Sequence, residues 1–277
     1  MRFTFILLVA LLTISCSKEK RSDKAGRKMQ DFVIAISDYA RGIDSDFIII
    51  PQNGVELAFQ DLDPNSATHS SYMAAVNGFG VEELFYNGTY SLDDELLPML
   101  QELIKSKPVM VAEYVSSDSY VDDAIQKNVD EGFITFTRTS TNYDYLLIPD
   151  TMFIENGNSI NSLVSARNYL YLISTDKYAS KSAMLSAINA TNFDLVLIDL
   201  FFNGAAWSSA EVAQLKTKAN GGKRLVIAYM NIGSAESYRY YWEDKWKLHK
   251  PKWLKKEYEG YEDEIWVKFW KKDWQDI

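Results

Sequence analysis

Polar side chains capable of chemistry fall at the ends of apolar runs in this sequence. Gln52 and Asn53 follow "DFIIIP", Glu82 and Glu83 lie in "GFGVEELFY", Glu113 and Tyr114 close "VMVAEY", Asp199 ends "DLVLID", and Tyr229 with Asn231 ends "RLVIAYMN". Just beyond, "IGSAESYRYYW" brings Glu236, Arg239, Tyr241 and Trp242 into seven residues. Carboxylates and amides dominate this set. Such a set suits glycosidic bond cleavage, where one carboxylic acid protonates the leaving oxygen and a second carboxylate attacks or activates water. The blander role for a strand-end acid is to accept backbone amides, and for clustered aromatics it is core packing. His69 and His249 both sit in polar, loop-like context without a partner at metal spacing, which argues against histidine catalysis and zinc. Asp61, Asp63 and Asn65 mimic the start of a calcium loop, but Ser66 stands where glycine is needed and Tyr72 where the bidentate acid belongs. No metal and no cofactor is expected.

These residues need parallel strands to bring them to one rim. Residues 30–41 carry a helical stripe through Phe32, Ile36 and Tyr39, closed by Gly42. A buried strand is expected over 47–50, stopped by Pro51 and the turn at Asn53-Gly54. Strands are also expected at "GFGVEELFY", "PVMVAEYV", "GFITFT", "YLYLIS", "DLVLIDLFF", "RLVIAYM" and "EIWVKFW". Helices separate most of them, and Ser91 with Asp94 and Ser208 with Glu211 have the spacing of capping boxes. About eight strands in βα rhythm, apolar on both faces, predict an α/β (β/α)8 TIM-type barrel. A doubly wound open sheet is second, weakened because no glycine-rich phosphate fingerprint follows a strand. The polar stretch 139–168, rich in Asn, Ser and Thr, breaks the rhythm and reads as a linker or excursion between two blocks of one domain spanning 29–277.

The net charge of −9 argues against a nucleic-acid partner. Residues 3–14 form an apolar run too short to span a bilayer, and Leu12-Thr13-Ile14-Ser15-Cys16 is similar to a bacterial lipoprotein cleavage box. Lipidation of Cys16, the single cysteine, would leave a leader at 1–16 and a charged tether at 17–28. The expected location is that of an exported bacterial lipoprotein, anchored by lipid to the outer membrane and facing the periplasm or the surface. Six of the seven tryptophans lie between Trp242 and Trp274, with tyrosines interspersed. Flat rings of this kind also stack on sugars.

Four blocks, "VIAYMNIGSAESYRYYW", "IIIPQNGVEL", "GFGVEELFY" and "VMVAEYV", together resemble glycoside hydrolase family 114, the endo-α-1,4-polygalactosaminidase-like barrels. The resemblance implies a barrel that hydrolyses a galactosaminogalactan-like polysaccharide, whose deacetylated galactosamine would suit an acidic protein. It implies a catalytic acid at Glu82 and a strand-end acid at Asp199. Substrate contacts are implied at Gln52, Asn53, Glu83, Glu236 and Arg239, and the rim position of Glu113, Tyr114, Tyr229, Tyr241 and Trp242 adds them to that set. Ser234 and Ser237 depart from the family's common acids. The blocks run in reversed order relative to relatives, which implies a circular permutation with 139–168 as the junction. A Gly-Phe-Asp-Gly-type strand, expected after "FWKKDWQDI", has no counterpart, which implies an incomplete barrel. Asp199 is then the best second acid, and an inactive glycan-binding lipoprotein is the rival reading.

Overall fold

The computed structural model describes residues 3–140, 143, 145–150 and 152–277, with side chains from residue 21 onward. Helix α1 spans Phe3–Ile43. The helical stripe expected over 30–41 is its docked part, where Phe32, Val33 and Ser37 are buried at helical spacing. Gln30 donates from Nε2 to the carbonyls of Leu57 (2.9 Å) and Phe59 (3.2 Å), and Ser37 donates to Ala75 O at 2.8 Å. The stretch 17–28, expected as a solvated tether, lies within this helix, and Arg27 pairs with Asp61 at 2.7 Å. Cys16 falls where side chains are outside the described residues.

Two three-stranded parallel sheets follow. After helix α2 (Ser70–Ala75), strands β1 (Phe79–Tyr90), β2 (Val109–Val115) and β3 (Ile134–Arg138) pair in that order, with α3 (Leu96–Leu103) and α4 (Val121–Asp130) as crossovers. Asp93 accepts the amides of Glu95 (3.2 Å) and Leu96 (2.8 Å), so it caps α3 where Ser91 was the sequence's candidate. The strand expected over 47–50 is reduced to a parallel bridge between Gln52 and Gly80, because Pro51 has no amide to extend the ladder. The second sheet orders β4 (Tyr169–Leu172), β5 (Leu195–Asp199) and β8 (Leu225–Tyr229). Helix α5 (Lys181–Asn189), the hairpin of β6 (Phe201–Phe202) and β7 (Ala205–Ala206), and α6 (Ser209–Leu215) lie between them. The Ser208–Glu211 capping box opens α6 as its spacing predicts.

The final region departs from the barrel expectation. "EIWVKFW" does not form another parallel strand: β9 (Ser234–Glu236), β10 (Leu254–Tyr258) and β11 (Tyr261–Val267) make an antiparallel sheet, followed by α7 (Lys272–Gln275). A Glu-Gly turn between β10 and β11 explains this, since strands two residues apart can only run antiparallel. The fold is α/β with parallel sheets, and among the described residues no closed eight-stranded barrel forms.

The two parallel sheets share a core. Met110, Ala112 and Phe136 from the first pack with Tyr169, Tyr171 and Leu197 from the second, and the Phe136 ring lies 5.7 Å from that of Tyr169. The alternate residues Val109, Val111 and Val115 pack outward under the helices. The polar stretch between the sheets is pinned by a salt bridge with no exposure on either side chain, Lys218 to Asp194 at 2.5 Å. The ammonium also donates to the carbonyls of Asn156 and Asn158, both at 2.8 Å, while Asp194 accepts the Arg167 amide at 2.7 Å. Every donor of the lysine is thereby used. Lys218→Met strands a buried carboxylate and should lower unfolding free energy by about 3–5 kcal/mol in urea titrations. A loss within experimental error of zero would show that the pair does not hold the junction.

Candidate active site

Strand alternation decides which candidates meet. In the first sheet Glu82, Ala112 and Phe136 stand in register, so Glu82 faces the interior shared with Phe136. In the second, Tyr171, Leu197 and Ile227 are in register, which puts Asp199 and Tyr229 one step further along the same face, at the carboxyl ends. At Gly80, below Glu82, a Cβ would meet Oε1 of Gln52, so any larger residue there would displace the Gln52 side chain. Nε2 of Gln52 is buried without a partner among the described residues.

Beyond Glu82 the β1 register slips until Asn87, and Glu83 takes a left-handed backbone, φ 60°. That conformation is uncommon for a residue with a Cβ and needs support from its surroundings. Glu113 supplies it. Its carboxylate accepts the amides of Phe85 (3.1 Å) and Tyr86 (3.0 Å) and the side-chain amide of Asn128 (2.8 Å). Glu113 lies on the helix side of β2 and has no exposed surface, so the sequence's assignment of it to substrate contact is corrected: it shapes the backbone that carries Glu82 and Glu83. Burial pushes its carboxyl above the usual range, with the amide donors pulling the other way.

Glu82 accepts hydrogen bonds from Nδ2 of Asn53 (3.1 Å) and from the hydroxyl of Tyr145. Tyr145 comes from the polar junction, and its ring stacks on Tyr171 with centroids 3.7 Å apart and planes 13° apart. Burial, then the Glu82 charge, pushes both phenols well above their ordinary range. Glu83 is held separately, by Arg138 Nη2 at 2.6 Å and by the Tyr143 hydroxyl at 2.9 Å. Burial first, and the hydrogen bond to Glu83 next, raises the Tyr143 phenol to about 12. The Arg138 guanidinium also lies over Tyr114, 5.1 Å from the ring centroid, which accounts for that candidate.

Asp199 belongs to a second network. Arg239 grips both of its oxygens at 2.7 Å and reaches Glu236 with Nε at 2.6 Å. Glu236 also accepts from the Tyr238 hydroxyl at 2.6 Å, and its amide donates to the Tyr241 oxygen at 3.0 Å. Tyr229 stands beside Asp199 in register, and burial raises its phenol, with the charges of Glu236, Glu264 and Glu82 adding to that, in that order. Tyr241 and Trp242 turn instead toward the aromatic core, edge-on to Trp274 at 5.7 Å and Trp246 at 5.3 Å.

Of the strand-end acids and tyrosines, Glu82, Glu83, Tyr114, Asp199 and Tyr229 take part and Glu113 does not, while Arg138, Tyr143, Tyr145, Tyr238 and Glu264 were not among the sequence candidates. Arg138 ends β3 and satisfies the same strand-end rule. Glu264 sits on β11, whose course the barrel expectation missed. Tyr145 carries no signal, because no periodicity marks its segment. Among the described residues no group of three or more His, Cys, Asp or Glu side chains could hold a metal ion. The chemistry available is proton transfer between carboxylates and phenols, with Arg239 supplying positive charge beside Asp199.

Comparison with known proteins adds a family. Residues 170–277 match the model of glycoside hydrolase family GH114. That region holds Asp199, Tyr229, Glu236 and Arg239, and leaves Glu82 outside. The chain is 31% identical over 148 residues to an uncharacterized protein of Methanocaldococcus jannaschii, covering 52% of this chain and 41% of that one. It is 26% identical over 133 residues to an uncharacterized Thermotoga maritima protein, with 48% and 40% covered. An uncharacterized Deinococcus radiodurans protein is 39% identical over 94 residues, with 34% and 29% covered. The chain thus spans between 29% and 41% of the length of these relatives.

The role given to Glu113 sets a pH dependence. With its carboxyl raised in the folded state, the fold holds that proton more tightly than the unfolded chain does. The resulting stability is full below the unfolded carboxylate value, about 4.3, and is lost as pH rises through the folded value. Glu113→Gln should remove this component, so its stability deficit relative to the native chain shrinks as pH rises. Glu113→Ala strands two buried amides and should cost roughly 1–3 kcal/mol for each at any pH. Denaturant titrations between pH 4 and 8 with parallel curves for the native chain and Glu113→Gln would contradict it.

Proposed function

We propose that this chain is a glycoside hydrolase of the GH114 kind, acting on an α-1,4-linked galactosamine-containing polysaccharide by carboxylate acid–base chemistry. The observation that carries the reading is that Glu82 and Asp199 point to the interior face of their sheets, Glu82 where the β1 ladder slips and Asp199 at the carboxyl end of β5. The family match at 170–277 and the net charge of −9, suited to a cationic amino-sugar polymer, support it. In this reading Glu82 is the general acid that protonates the leaving oxygen, with Asn53 and Tyr145 aiming its carboxyl. Asp199, with Arg239 beside it, is the anionic partner that attacks or activates water. Gln52, Glu83, Tyr114, Tyr229 and Glu236 line the approach. The two sheets and the 49–52 segment are staves of a (β/α)8-type barrel, permuted relative to the family with 139–168 at the junction.

A second reading has its own observation. Both oxygens of Glu82 and both of Asp199 already have partners, which favours a site that grips a glycan without cleaving it. The two separate on incubation of the purified protein with partly deacetylated galactosaminogalactan, followed by mass spectrometry of the soluble products. The hydrolase reading expects oligosaccharides, with release reduced about 10²–10⁴-fold in Glu82→Gln. Binding without release selects the non-catalytic reading, and undiminished release by Glu82→Gln removes Glu82 from the chemistry.

We further propose that Cys16 is lipidated and that the protein is an exported lipoprotein held at the outer membrane by that lipid alone. Cys16→Ser in a bacterial host should move the protein from the membrane fraction to the soluble one, with loss of labelling by a radioactive fatty acid. Equal labelling of both forms would overturn the anchor.

A further inference from the structure

The antiparallel sheet has two unlike faces. Ala235, Ile265 and Val267 point into the core that contains Trp246, Trp253 and Trp274. The alternate residues form the opposite face, where register sets Glu264 beside Glu236 and Trp266 beside Ser234. Glu236 is the residue that shares Arg239 with Asp199. Glu264 accepts from Ser234 Oγ at 2.8 Å and from Asn231 Nδ2 at 3.2 Å, which fastens this face to the chain just beyond β8.

Three aromatic rings gather along β10 and β11 of the same sheet. Tyr258 stacks on Trp266 with centroids 4.3 Å apart and planes 21° apart, and Tyr261 meets Tyr258 edge-on at 5.5 Å. Unlike the core tryptophans, two of them are open to solvent, Tyr261 45% exposed and Trp266 37%, while Tyr258 is half-buried between them. Glu257, Glu259, Glu262, Asp263 and Glu264 alternate with them along the two strands and their turn, which gives this stretch a strong negative charge. Trp266 and Glu264 share one face of β11, and Glu264 pairs in register with Glu236, which Arg239 joins to Asp199, so the rings stand on the same sheet as the second carboxylate network.

We infer that Tyr258, Tyr261 and Trp266 form a sugar-binding subsite, flanking the carboxylates, that takes a pyranose ring of a cationic amino-sugar chain. The inference rests on the glycan reading above and names where a neighbouring sugar unit sits. A flat indole backed by a second ring offers a rigid apolar platform for the C–H face of a pyranose. An ammonium on that sugar gains both from the ring faces and from the carboxylates along the same strands. An uncharged glycan would use only the first contribution. This surface therefore selects deacetylated units over acetylated ones.

The test is calorimetric titration of Glu82→Gln, the variant the hydrolase reading expects to bind with little turnover, using galactosamine oligosaccharides of two and eight units. Adding Trp266→Ala should weaken the octamer about tenfold or more and leave the dimer nearly unchanged, while Trp266→Phe keeps most of the octamer affinity. Tyr261→Ala, at the most exposed ring, gives a second measure should Trp266→Ala unfold. A fully N-acetylated octamer should bind more weakly than the free amine. Octamer binding unaffected by either alanine variant would overturn the subsite and leave the glycan reading standing. Absence of binding to any oligomer would overturn both.

Discussion

The Lys218–Asp194 pair is the constraint on which the arrangement rests. Two charges with no exposed surface lie at the entry edge of the second parallel sheet, Asp194 just before β5 and Lys218 between α6 and β8, where the polar stretch from the first sheet packs against them. Removing both from water is costly, so every remaining donor and acceptor must find a partner. Those partners are backbone groups of Asn156, Asn158 and Arg167, all in the polar junction. The need to satisfy a buried ion pair thus orders a segment that has no periodic hydrophobicity to order it. An ordered junction in turn can present Tyr145 to Glu82 at a fixed angle.

A similar logic operates at Glu113. A carboxylate facing the helix layer rather than the mouth holds two consecutive amides of the slipped part of β1. The slip gives Glu82 and Glu83 different surroundings even though they are adjacent in sequence. Glu82 faces Asn53 and Tyr145, while Glu83 turns to Arg138 and Tyr143. In a regular strand two neighbours would point to opposite faces. Here one backbone irregularity, with a left-handed residue at its start, lets both carboxylates serve the same rim.

How much of this was legible in the sequence differs from element to element. The parallel strands were readable because "VMVAEYV" and "DLVLID" are apolar on both faces and are spaced by helices. Strand-end position put Glu82 and Asp199 in a longer list, from which the family resemblance singled out Glu82. The same double burial hid the face of Glu113, since a strand covered on both sides has no alternation to say which way a residue points. The antiparallel course of "EIWVKFW" was hidden by a βα rhythm that the chain abandons after β8. Tyr145 was beyond reach for a different reason: it is held by a ring stack on Tyr171 and a hydrogen bond to Glu82, neither of which leaves a local pattern. Pro51 was visible as a stop, and its missing amide explains why the expected strand survives only as a bridge.

The ring of Tyr145 belongs to both halves of the protein at once. It lies flat on Tyr171 of one parallel sheet, while its hydroxyl holds Glu82 of the other. A ring stack resists sliding, and a hydrogen bond weakens steeply once its angle opens. Relative motion of the two sheets is therefore geared to the orientation of a single carboxylate. Anything that displaces Glu82 is transmitted through one rigid phenol to the packing between the sheets, and a shift in that packing is felt at Glu82 in return.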